Sequence, residues 1–146
     1  MIKPQEDRAW WFHTTFDPAF PRARREAWYR RLHKRLTAAK LAAASAIDIS
    51  VVLGIRQPFT AAERNEVIAW LIDDPSVWVI QIGEMAPVED LLLYGVPAIP
   101  VADIWRATGL PRSRLDDYMQ HMLKDIVHAA VADRILKRKP RRGGPA

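Results

Sequence analysis

A helix that is apolar on two faces has to be covered on both, and the last third of this chain carries one. From Pro111 to about Lys137, one stripe is made by Leu115, Met119, Met122, Ile126 and Ala130, and a second by Val127, Val131 and Ile135. Such a helix sits inside a core or between subunits, so the rest of the chain must wrap it or a second copy must. The chain has 146 residues, of which 49% are hydrophobic. That length and composition suit a single globular domain.

Several function classes fall away at once. The chain has no cysteine, which excludes disulfides and thiolate metal sites and points to a reducing compartment. The N-terminal stretch MIKPQED is polar and does not lead into an apolar signal core. The longest apolar runs, such as VWVI and LLLYGV, are far short of the roughly 20 residues a membrane helix needs. The expectation is a cytoplasmic protein with no membrane segment.

The net charge is +5, but it is unevenly laid out. Residues 22–40 hold eight Lys or Arg and one acid; residues 41–104 hold two bases and nine acids; residues 105–146 hold ten bases and four acids. Two basic segments flank an acidic middle, a pattern that concentrates positive potential and attracts phosphates. Arginine dominates, and its planar fork can hold two phosphate oxygens at once.

Along the chain, residues 1–21 read as an aromatic arm. Trp10, Trp11 and Phe12 in this arm either pack on the domain or form a partner-binding or base-stacking surface. Residues 22–45 read as one long helix after Pro21, with Trp28, Leu32, Leu36, Ala39 and Ala43 as its apolar stripe. Arg24, Arg25, Arg30, Arg31, Lys34 and Arg35 fall largely on its water-facing side. Residues 46–58 fit a short strand or a helix end. Thr60 and Glu63 form a capping-box pattern ahead of a helix. The stretch 76–82, SVWVIQI, is the best strand. Residues 87–95, PVEDLLLYG, fit a short helix stopped by Gly95.

Residues 101–122, VADIWRATGLPRSRLDDYMQHM, resemble the helix-turn-helix motif of DNA-binding proteins. A helix of about eight residues ends at Gly109, Leu110 turns inward, and Pro111 opens a second helix; Ile104, Leu110, Leu115, Tyr118 and Met119 fill the apolar positions. The resemblance implies a second helix in the major groove, aiming Arg112, Ser113, Arg114 and Gln120 at bases or phosphates, with Lys124 further along. Trp105 departs from the small residue usual at that position, and Asp116 and Asp117 place acids on the reading face. After it, Lys137, Arg138 and Lys139 lead into a flexible basic tail, 138–146, suited to phosphates without base reading.

Catalytic patterns are lacking. His121 and His128 have no zinc-helix partners, the Gly-Gly pair at 143–144 is not a phosphate loop, and no serine sits in a nucleophile elbow. The sequence therefore predicts a mainly α protein without metal or cofactor: a helical domain, residues 22–137, with a helix-turn-helix-like C-terminal half and at most a two-stranded β element. The predicted function is nucleic-acid binding without enzymatic activity. DNA is the favoured partner and RNA the second, as for a small transcriptional regulator or a mobile-element accessory factor. The rival reading is a helical interaction subunit, or an inhibitor, docking in a larger nucleoprotein complex. Either reading accommodates a homodimer.

Overall fold

A computed structural model of the chain describes residues 7–94, 102–105 and 117–138. The unalternating run RAWWFHTTF forms strand β1 (Arg8–Phe16), buried on both faces along most of its length. A 3-10 turn (Arg22–Arg24) leads into helix α1 (Arg25–Ala38), followed by β2 (Leu41–Ala46) and β3 (Ile49–Gly54). Then come α2 (Ala61–Asp73), β4 (Val77–Ile82), β5 (Ala86–Pro87), α3 (Val88–Tyr94), β6 (Ala102–Trp105) and α4 (Asp117–Arg138).

The strands form one antiparallel sheet in the order β2-β3-β1-β4-β6, with β5 pairing the start of β1. The run β1-α1-β2-β3-α2-β4 with this order is a split β-α-β arrangement. Alternate residues of a strand point to opposite faces, and β1 fills two cores this way. Trp10, Phe12 and Phe16 pack with Trp28, Leu32 and Leu36 of α1 and with Val67 and Leu71 of α2. Ala9 and Trp11 pack on the other side with Val88 and Leu91 of α3 and with Leu123, Ile126, Val127 and Ala130 of α4. The sheet is thus the middle of three layers.

This overturns the expectation of a mainly α, all-α protein with at most two strands. The aromatic arm is instead the central strand, and Trp10, Trp11 and Phe12 are 0%, 1% and 0% exposed. They cannot serve as a docking or base-stacking surface. The long helix expected over 22–45 stops early. Lys40 adopts φ 64, the left-handed conformation that closes a helix, and the following alanines pair with β3 from Leu41↔Gly54 to Ala46↔Ile49. The turn Ile47–Asp48 has both residues at positive φ, 49 and 62, the signature of a tight hairpin whose twist matches its strands.

Other expectations hold. Thr60 and Glu63 form a full capping box at the start of α2, SVWVIQI supplies β4, and α3 spans most of PVEDLLLYG. The helix expected to be covered on two faces is α4, but among the described residues it buries one: Ile126 and Ala130 of the first stripe and Val127 of the second join the same core, and the helix packs on β2 and β3. Its inner face is buried at Ile126, Val127 and Ala130, whereas Ile135 is 52% exposed.

The C-terminal turns of α4 close one edge of the sheet. Strand β2 lies at that edge, and Asp133 Oδ2 accepts a hydrogen bond from the Ala43 backbone N–H at 3.1 Å. Arg134 Nη1 donates to Asp7 Oδ1 at 2.8 Å, and Arg138 Nε donates to the Ile55 carbonyl. Among the described residues, no helix is long and apolar enough to cross a membrane.

Candidate nucleic-acid interface

Helix α1 buries Trp28, Leu32 and Leu36, one residue every turn of the same face. Geometry then forces the residues between them outward. Arg30, Arg31, Lys34 and Arg35 are all exposed, as are Arg22 and Arg24 just before the helix. Among the described residues, no carboxylate pairs with Arg22, Arg24, Arg30, Arg31, Lys34 or Arg35. At about 1.5 Å per residue, Arg30 to Arg35 cover about 7.5 Å of the length of α1 (Arg25–Ala38).

Arg25 is diverted from that row. Its Nη1 donates to Asp48 Oδ2 at 3.1 Å, and its guanidinium lies 5.1 Å from the centre of the Phe16 ring. Tyr29 donates its hydroxyl to Asp48 Oδ1 at 2.9 Å, and the Asp48 carbonyl accepts from the Thr14 N–H. Asp48 therefore pins α1 and β1 to the β2–β3 hairpin. Burial, with the Asp48 charge adding to it, pushes the Tyr29 phenol far above its ordinary value.

Beside the cationic row, α1 and α2 enclose an open groove of about 220 Å³ lined by Trp28, Arg31, Leu32, Arg35, Trp70, Leu71 and Asp74. The Arg35 guanidinium lies over the Trp70 ring, 4.1 Å from its centre, a cation–π contact that orders the fork. Asp74 Oδ2 accepts from Trp28 Nε1 at 2.7 Å and its Oδ1 from the Ser76 N–H at 2.9 Å. At the other end of α1, Lys40, Arg56, Lys137 and Glu63 border a second cavity of about 370 Å³. Lys137 is held there by Asp133 at 2.6 Å.

A polar chain lies beneath α1. His33 Nε2 is 2.8 Å from Ser45 Oγ, which is 2.7 Å from Ser50 Oγ. Burial lowers the His33 pKa, with nearby Lys137 acting in the same sense and Asp133 against it. On β1, burial likewise lowers the pKa of His13, opposed by Asp48.

The basic residues predicted from the sequence therefore separate. Arg30, Arg31, Lys34 and Arg35 lie along the exposed side of α1, and Arg24 is exposed just before its start. Arg25 and Lys137 are engaged within the fold. Arg138 bonds the Ile55 carbonyl while remaining exposed, and Lys124 is half-buried on α4. Arg112, Ser113, Arg114 and Lys139 lie outside the described residues, as does the side chain of Gln120. Residues 102–105, expected in the first helix of the helix-turn-helix-like corner, form strand β6 against β4. The sequence reading missed the Arg35–Trp70 stack because the two residues sit on separate helices. No protein-family model, characterised protein or solved structure matches this chain.

Proposed function

We propose that this is a nucleic-acid-binding protein, not an enzyme, that lays the outer face of α1 along a phosphate backbone. The observation that carries this reading is the row of exposed Arg30, Arg31, Lys34 and Arg35, extended by Arg22 and Arg24, with no carboxylate partner among the described residues. Arg22 and Arg24 stand at the positive end of a helix, where cations are unfavourable. Within the fold these charges cost stability and return little; against phosphates the same charges release counterions and drive binding.

Both faces of the sheet are covered by helices, so bases do not stack on strands here. A helix presenting arginines outward suits backbone contact, which sets position and not sequence. The reading therefore favours an accessory factor that binds DNA or RNA structure over a regulator that reads a base sequence.

The test is binding of duplex DNA and duplex RNA across a salt series, comparing the natural chain with an Arg30→Ala, Arg31→Ala, Lys34→Ala triple variant. The slope of log affinity against log salt should fall by about 0.9 for each DNA phosphate that the variant no longer neutralises. An unchanged slope would sink the assignment to α1. A second reading, a subunit of a larger nucleoprotein complex, draws on Leu93 and Leu136, apolar residues of α3 and α4 that are 59% and 67% exposed.

A further inference from the structure

Resting on the phosphate-binding reading, we propose that the groove between α1 and α2 receives one unstacked nucleobase of the bound nucleic acid, laid against the Arg35–Trp70 pair. The groove opens directly beside the cationic row, since Arg31 and Arg35 belong to both. It is bordered in about equal measure by apolar groups, from Trp28, Leu32, Trp70 and Leu71, and by the polar groups of Arg31, Arg35 and Asp74. One face of the Arg35 guanidinium is fixed by Trp70 at 4.1 Å, and Arg35 is exposed. A guanidinium plane held this way is a platform on which a base can stack.

Charge decides which part of a nucleotide enters. Arg31, Arg35 and Asp74 all line the groove; a phosphate is held where it meets the arginines and repelled where it would lie beside the Asp74 carboxylate. A neutral planar base meets no such penalty, while its flanking phosphates stay outside on Arg31 and Lys34. The volume points the same way. At about 220 Å³ the groove falls below the roughly 300–1,000 Å³ of sites that hold drug-sized ligands, so it suits one heterocycle and not a whole nucleotide. Bases inside a perfect duplex keep their faces stacked and out of reach. The partner is thus a nucleic acid with an unpaired nucleotide, in a bulge, loop or single-stranded end.

Three probes test this by fluorescence anisotropy at one salt concentration: a perfect RNA duplex, the same duplex with one bulged nucleotide, and that duplex with the bulged position abasic. The bulged duplex should bind about tenfold tighter than the other two, the gain of one base–aromatic stack. Trp70→Leu should remove the preference while the perfect duplex still binds. Arg35→Ala, at an exposed side chain whose removal does not threaten the fold, should also abolish it. Equal binding of bulged and perfect duplexes overturns the base groove while the phosphate-binding reading stands. So does equal binding of bulged and abasic duplexes, or a preference that survives both substitutions. If no probe binds even at low salt, both readings fall.

Discussion

Trp28 donates its indole N–H to Asp74 Oδ2 at 2.7 Å, tying the first turn of α1 to the residue that ends α2. The pair fixes the spacing of the two helices that frame the groove. Trp28→Phe keeps an aromatic ring near Phe16, whose ring centre is 4.9 Å away, but removes the donor together with part of a buried indole, which adds a cavity cost to the loss of the bond. The bond's share of the expected loss is about 1.5–3 kcal/mol, typical of a hydrogen bond to a charged group, and the whole is read from the urea midpoint. A variant as stable as the natural chain would show that the bond does not hold the helices together.

Gly83 is wedged between two tryptophans. Its carbonyl accepts from Trp10 Nε1 at 3.1 Å, and its N–H donates to the Trp11 carbonyl at 3.0 Å. A Cβ at this position would lie 1.9 Å from Trp11 Nε1. Trp11 is buried and has nowhere to go, so Gly83→Ala should cost at least the 1–3 kcal/mol, roughly, of an overpacked core. Thermal melting would show it, and an unchanged Tm would mean that the indole relocates freely.

Acid should weaken the fold through histidine. Both His13 and His33 have pKa values lowered by burial, so the folded state favours their neutral forms. The unfolded chain, with histidine near 6.5, takes up protons first as pH falls. The stability linked to these groups is therefore present above about pH 6.5 and lost as pH drops from there through the folded values. Urea midpoints at successive pH values should decline over that window, and His33→Gln should make the decline shallower.

Arg25 and Arg30 lie on the same helix with opposite fates, and their substitutions should separate stability from binding. Arg25→Ala breaks the ion pair with Asp48, whose partners are 33% and 25% exposed. Screened by solvent, it should cost about 1 kcal/mol and leave the salt slope of nucleic-acid binding unchanged. Arg30→Ala should do the reverse. If Arg25→Ala lowers the slope as much as Arg30→Ala, then Arg25 also reaches the ligand.

Elements governed by local rules were legible in the sequence. The Thr60–Glu63 cap, the β-branched run of β4 and the Trp28–Leu32–Leu36 stripe each follow from side-chain spacing. What failed was non-local. β1 is buried on both faces, so its residues show no alternation, and a strand of that kind has no period to read. Leu41–Ala46 has the alanines of a helix, but Lys40 ends α1 and β3 supplies the partner. Ala102–Trp105 read as the first helix of a corner until β4 claimed it. The basic face of α1 was visible as an off-stripe pattern. Its neighbour Trp70 was not, because only the packing of α2 beside α1 brings it to Arg35.

The bond from Ala43 to Asp133 joins residues 90 positions apart, so it belongs to the slowest class of contact to form. Until α4 arrives, the amide of an alanine-rich edge strand is open to any passing chain, which could extend the sheet by adding a strand of its own. Once α4 docks, that amide is satisfied and a carboxylate stands in front of it. Assembly of the last helix therefore sets the interval during which newly made chains can stick to one another. Asp133→Ala should lengthen that interval, and its signature would be aggregation that rises with protein concentration during refolding.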